Sequence, residues 1–152
     1  MRKNKYTFII LLFLLLKTTV VLSQSKTSET HINNFVKSVF FEKNKVEFIA
    51  ENYIYFEPII NSKYTISDRI KILDKHLKKI KYEKKSLIDS SNYFIVEYKD
   101  YKGTKILFDK STDNIYILIS KNNPIMYFYF LNDKILSFDY IIKGNEGLFI
   151  TY

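Results

Sequence analysis

Two halves of this 152-residue chain carry different hydrophobic periods, and that division constrains the fold more than any other feature. Up to about residue 85, apolar residues recur three and four apart, the spacing of one helix face; from Tyr93 onward they fall in short runs separated by polar turns. Short turns between successive strands force antiparallel neighbours, because a parallel pair needs a crossover of about a dozen residues or more. Helices first and strands afterwards is the order of an α+β domain, not of alternating α/β. The expected architecture is N-terminal helices packed on a curved, cone-like antiparallel meander of about five or six strands.

The first helix is expected from Ser28 to Phe41, where Ile32, Phe35, Val36, Val39 and Phe40 make one stripe. A second, Lys45 to Glu51, would be capped by Asn44 with Glu47 three residues on, as in a capping box. Tyr53 to Phe56 then reads as a short strand, stopped by Pro58, which has no amide to donate. The third helix has the clearest pattern: Ile66, Ile70, Leu73, Leu77 and Ile80 alternate spacings of four and three, with Ser67 and Asp68 as starting residues. Strands are expected at Tyr93 to Lys99, Lys105 to Phe108, Ile115 to Ser120, Ile125 to Leu131, Ile135 to Ile142 and Leu148 to Tyr152, with another near Ser86 to Asp89. Ile125 to Leu131 is apolar on both faces, so it should be central and covered on both sides.

The N-terminus speaks to destination. Arg2, Lys3 and Lys5 precede the apolar run from Phe8 to Leu16, and Ser23, Gln24 and Ser25 follow. A charged start, an apolar stretch of about 7–15 residues and a small-residue cleavage site make a secretory signal. Phe8 to Leu22 is mostly apolar, but Lys17 interrupts it, and a spanning helix needs about 20 consecutive apolar residues. Residues 1–24 are therefore expected to be removed, leaving 25–152 as a single domain without a stable membrane anchor. The chain has no cysteine, which excludes disulfides, thiolate metal sites and a lipidated cysteine at the junction. An exported protein without disulfides fits a bacterial periplasmic or secreted protein.

The formal charge of +8 overstates the mature chain. Arg2, Lys3, Lys5 and Lys17 lie in the signal, while all 16 acidic residues lie at Glu29 or later, so 20 basic residues face 16 acidic ones. Beyond the signal the only arginine is Arg69. A nucleic-acid binder is expected to use the two-pronged guanidinium, so no nucleic-acid partner is expected. Lys75, Lys78, Lys79, Lys81, Lys84 and Lys85 cluster toward the end of the third helix, where cations suit the negative pole, so the cluster is not expected to mark a nucleic-acid or anionic-membrane site.

Three N-terminal helices, a short strand after the second and then a long antiparallel meander resemble the nuclear-transport-factor-2-like (cystatin-like) superfamily. The segment Asn44 to Pro58, NKVEFIAENYIYFEP, looks like that superfamily's second helix running into its first strand. The resemblance covers most of the mature chain and rests on element order. It implies a sheet curled around the long helix into a cone that often encloses a ligand pocket. Enzymatic members usually place Asp, His or Tyr inside the cone, and no such set is matched here residue by residue.

No nucleophile elbow, phosphate loop or zinc-protease helix occurs, and no cofactor is expected. His31, in the first turn of the first helix, is expected to be solvated. Neither His31 nor His76 has a carboxylate or second histidine at ligand spacing, so no metal site is expected. In Ile135 to Ile142, Leu136, Phe138, Tyr140 and Ile142 would share one face, and Ile135, Ser137, Asp139 and Ile141 the other. On an outer strand Asp139 is the polar side in water; lining a cone, it would be a buried carboxylate with a raised pKa and acid–base use. Glu97 stands in the same position. Tyr127, Tyr129, Ser137 and Asp139 are the candidates for a ligand pocket, since tyrosine's apolar body and hydroxyl tip suit a pocket wall. The reading is of an exported small domain that binds a small apolar ligand or a partner protein without catalysis. A cone-fold enzyme using Asp139 with tyrosines for proton transfer, or a periplasmic inhibitor or accessory subunit, are the alternatives.

Overall fold

The structure, a computed structural model, describes residues 27–58 and 63–152; the expected export signal lies outside the described residues. Helix α1 occupies 27–41, its last turn wound as a π-helix over Lys37–Phe41. The expected stripe is its buried side: Ile32, Phe35, Val36, Val39 and Phe40 are all inside. Helix α2 is Val46–Tyr53, with Lys45 at its start and no side-chain cap. Asn44, expected to cap it, instead donates Nδ2 to Ser38 Oγ at 2.9 Å and to Glu42 Oε2 at 2.6 Å, tying down the end of α1. Helix α3 is Ile66–Lys84, and it begins on a true capping box. The Thr65 hydroxyl accepts from the Asp68 amide, and the Asp68 carboxylate accepts from the Thr65 amide, each satisfying an amide the helix cannot. Leu73, Leu77 and Ile80 are buried as the spacing requires, but Ile66 is exposed and Arg69 takes a buried position among them.

Four strands form one antiparallel sheet in the order β1 (Tyr93–Glu97), β2 (Ile115–Ser120), β3 (Asn123–Leu131), β4 (Lys134–Ser137). Strands β5 (Tyr140–Lys143) and β6 (Glu146–Phe149) pair separately as a hairpin. The turns follow from residue type. Lys121 and Asn122 (φ 50° and 63°) join β2 to β3, and Asn132 and Asp133 (φ 51° and 59°) join β3 to β4, both left-handed pairs of the type I′ class that suits strand twist. In β5–β6 only Gly144 has positive φ, 64°, as the first residue of a type II′ turn.

The α+β class is as expected, and β3 is central, between β2 and β4, with side chains covered on both faces. On one face Tyr116, Leu118, Met126, Phe128 and Phe130 pack against α1, α2 and α3. On the other, Ile115, Ile117, Ile119 and Tyr127 pack against Phe108, Tyr140 and Phe149 from the hairpin and the loop before β2. The space a hollow cone would leave open is filled by these side chains.

Several expected strands differ. The stretch Ser86 to Asp89 opens with a 3-10 turn, Lys85–Leu87, that continues α3. Of Lys105 to Phe108 only Phe108 makes a bridge, to Gly147, and of Tyr53 to Phe56 only Ile54 does, to Ile135. Ile135 to Ile142 is not one strand. Its pairing with β3 passes from Phe130↔Ile135 to Tyr129↔Ser137, so Leu136 is an extra residue, a bulge that inverts the alternation. Ile135 and Phe138 therefore share the helix-side core, and the bend at Phe138 and Asp139 that separates β4 from β5 turns Tyr140 to the other. The expected face of Leu136, Phe138, Tyr140 and Ile142 does not exist.

Candidate functional site

The break between β4 and β5 brings Asp139 to α3, where it meets His76. Nε2 of His76 lies 2.9 Å from Asp139 Oδ2, and Nδ1 is hydrogen-bonded to the Tyr152 hydroxyl. With Nε2–H donating to the carboxylate, Nδ1 of a neutral ring is left to accept the phenolic hydrogen, so every group in the chain is satisfied. Tyr152 is held from both ends. Its ring stacks on Phe138 at 5.6 Å and 24°, and its main-chain oxygen accepts from Arg69 Nη2, which also donates to Glu57 O at 2.9 Å. Arg69 is 6 % exposed, lies over the Phe56 ring and leaves Nε without a partner among the described residues.

Burial raises the Asp139 carboxyl, but the hydrogen bonds from His76 and from the Tyr140 amide, with the charge of Lys84, outweigh it and hold the group below its ordinary value. Burial drives the Tyr152 phenol far above its ordinary value, and the Asp139 carboxylate adds to the effect. Carboxylate, imidazole and hydroxyl stand in the order found in hydrolytic triads, yet the hydroxyl is neither activated nor reachable. A phenol acts as nucleophile or base near neutral pH only with a lowered pKa and an open approach, whereas Tyr152 is 7 % exposed. His76, Asp139 and Tyr152 are absent from the walls of the clefts beside Glu97, Tyr82, Ser38 and Tyr129. Chemically, the relay fixes Tyr152 and its ring against α3 and Phe138.

The pocket candidates do not converge. Tyr127, 3 % exposed, lies edge-on to Tyr140 beneath the hairpin. Tyr129 stacks on Phe149 at 5.4 Å and lines an open cleft of about 350 Å³ with Glu57, Lys110, Leu136 and Thr151. Ser137 is fully buried and donates to Asp139 O at 2.8 Å. Asp139 itself belongs to the relay. His31 is half-buried rather than solvated, edge-on to Tyr53 and Phe130 at 5.2 and 5.8 Å, because the first turn of α1 packs over the end of β3. The pairing of His76 with Asp139 was invisible to ligand spacing, since it spans 63 residues. One signal was available: Arg69 stands four residues before Leu73, a charge on the apolar stripe of α3.

The sheet's two edges differ. Along β4, Ile54 forms a bridge with Ile135, the Tyr55 amide donates to Ile135 O at 2.9 Å, and Lys134 Nζ donates to Glu51 O at 2.6 Å. Along β1 the sheet ends among the described residues. The Tyr98 amide bonds Ile115 O at 2.9 Å, so by alternation Phe94 and Val96 bond toward β2 and the main-chain groups of Tyr93 and Ile95 point outward. Phe94 is 51 % exposed on one face of this edge, and exposed Phe41 stacks on Tyr93 on the other. Glu97 closes the strand in an ion pair with Lys99 at 2.5 Å, beside an open polar cleft of about 480 Å³ that includes Asp113, Tyr116 and Asp133.

Among the described residues no helix is long and apolar enough to cross a membrane, and no three carboxylate or histidine side chains are grouped to hold a metal ion. No protein-family model matches the chain, and neither a curated protein nor a solved structure matches it.

Proposed function

We infer that this is an exported, non-catalytic binding domain whose partner adds an extended segment to the β1 edge. The single observation behind the reading is the asymmetry of the sheet, one edge occupied by 54–55 and the other, among the described residues, bare and aromatic. Proteins ordinarily blunt such an edge with lysine, proline or a bulge, and YFIVE has none of these. Strand addition takes affinity from main-chain hydrogen bonds and specificity from alternate side chains. Here Phe94 and the Phe41–Tyr93 stack offer an aromatic contact on each face of the added strand. Export rests on the pattern of residues 1–24, and the order of three helices before a meander supports a nuclear-transport-factor-2-like origin.

A small apolar ligand is the weaker version, because both faces of the sheet are packed with side chains. Proton transfer by Asp139 has its hydrogen bond to His76 in its favour and the burial of Tyr152 against it.

Phe94→Lys tests the reading, since it charges the edge without touching the cores. The wild-type domain, incubated with envelope extract, should retain a protein that Phe94→Lys does not, and hydrogen exchange at Ile95 should slow in that complex. Equal retention by both forms, or protection confined to another element, rejects strand addition. A bound small molecule in native mass spectrometry of the exported protein would reinstate the ligand version.

A further inference from the structure

Between Ile66 and Lys85 the chain carries eight basic and three acidic residues, whereas the rest beyond Ser25 carries twelve basic and thirteen acidic. All of the net positive charge beyond Ser25 therefore sits on α3 and the residue that follows it. Around the helix the distribution is as uneven as along the chain. Arg69, Leu73, Leu77 and Ile80 face the core. At about 100° per residue, the opposite side belongs to Lys71, Lys75, Lys78, Tyr82 and Lys85, all exposed. Tyr82 is 90 % exposed at the middle of this stripe, and with Lys78, Lys81 and Lys85 it outlines a shallow depression. Lys71 and Lys78 have carboxylate neighbours in Asp68 and Asp74, at 3.6 and 2.6 Å. Lys75, Lys81 and Lys85 have none among the described residues. The helix dipole accounts for cations in the last turn only; it leaves Lys71, Lys75 and Lys78, and an aromatic ring held in water, without a reason.

We propose that the outer face of α3 docks reversibly on an anionic lipid bilayer, with Tyr82 at headgroup level. Charge complementarity selects an anion, and residue type selects which. A phosphodiester chain is read by arginine forks, and Arg69, the one arginine beyond residue 24, is buried against main-chain oxygens. Lysines act as point charges in the diffuse field of anionic headgroups, about fivefold in affinity apiece. A tyrosine with apolar body and polar tip is suited to the membrane–water boundary. From Lys71 to Lys85 the stripe runs about 21 Å along the helix, a straight line that fits a plane. The proposal is independent of the β1 edge.

Vesicle co-sedimentation of the mature chain tests it. Phosphatidylglycerol vesicles should pull the protein down at low salt, phosphatidylcholine vesicles should not, and added salt should release it. Lys75→Glu, Lys81→Glu and Lys85→Glu together should weaken binding at least about a hundredfold. The same charge change made at exposed Lys102, Lys110 and Lys143 should cost far less. Tyr82→Ser, at a fully solvated position, should weaken binding several-fold with an unchanged thermal midpoint. Equal loss from the two triple variants, binding to neutral vesicles, or retention by single-stranded DNA without retention by vesicles would each overturn the proposal.

Discussion

His76 and Asp139 meet at 2.9 Å across 63 residues of chain, and Tyr152 closes the arrangement from the other side of the imidazole ring. The three groups join the long helix, the break between two strands and the end of the described chain. Their side chains are mostly hidden, 13 % and 16 % exposed for His76 and Asp139.

Removing the imidazole strands both partners. His76→Ala should destabilise the domain by about 2–3 kcal/mol, and Tyr152→Phe, which loses one hydroxyl, by about 1 kcal/mol. Urea unfolding measures both, and a cycle of His76→Ala with Asp139→Ala should show coupling above about 0.5 kcal/mol. Additive losses would mean that the relay contributes packing only.

Acid should act in two windows. His31 is lowered below its ordinary 6.5, chiefly by burial, against the Tyr53 carbonyl that raises it. Its contribution is complete above 6.5 and is lost as pH falls through the folded value. Asp139 is held below 3.8, so its contribution is complete above that pH and disappears further down. Glu29 works in the opposite sense, raised above 4.5 by burial and then by Glu97, so folding gains from it as pH falls. Urea midpoints of Asp139→Asn should be lower than wild type at neutral pH and converge with it below pH 3.8. Parallel curves throughout would remove Asp139 from the acid transition.

Base should unfold the domain through its tyrosines. Burial raises Tyr93, Tyr98, Tyr116, Tyr127, Tyr140 and Tyr152 above the ordinary 10. Each favours the fold fully below pH 10 and progressively less as pH climbs toward its folded value, because the unfolded chain ionises first. Tyrosinate absorbance should thus rise in step with loss of the fold by circular dichroism above pH 10. Full titration in an intact fold would contradict this.

Gly147 is required by space rather than by backbone angle. A Cβ there would lie 2.6 Å from Phe108 Cε1 and 2.9 Å from Ile106 Cγ2, where β6 receives the bridge from Phe108. Gly147→Val should cost about 1–3 kcal/mol and loosen the hairpin from the Tyr127–Tyr129 face. Rising hydrogen exchange at Ile117 and Tyr127 would report it.

Local patterns carried much of this architecture. The α1 stripe, the Leu73–Leu77–Ile80 side of α3 and the two-sided apolar run of β3 each depend on neighbours within a few residues, so period alone reveals them. Turn chemistry was equally local at Lys121–Asn122, Asn132–Asp133 and Gly144. Asn44 failed as a cap because Ser38 and Glu42 competed for its amide, a contest decided by the path of the chain between α1 and α2. Leu136 failed as a face marker because one extra residue in register inverts everything after it. From its residues alone the chain determined an α+β order, antiparallel neighbours and a central third strand. Tertiary structure decided the four-and-two division of the sheet, the bare β1 edge and the meeting of His76 with Asp139, since each depends on contacts between segments far apart in sequence that no local period encodes.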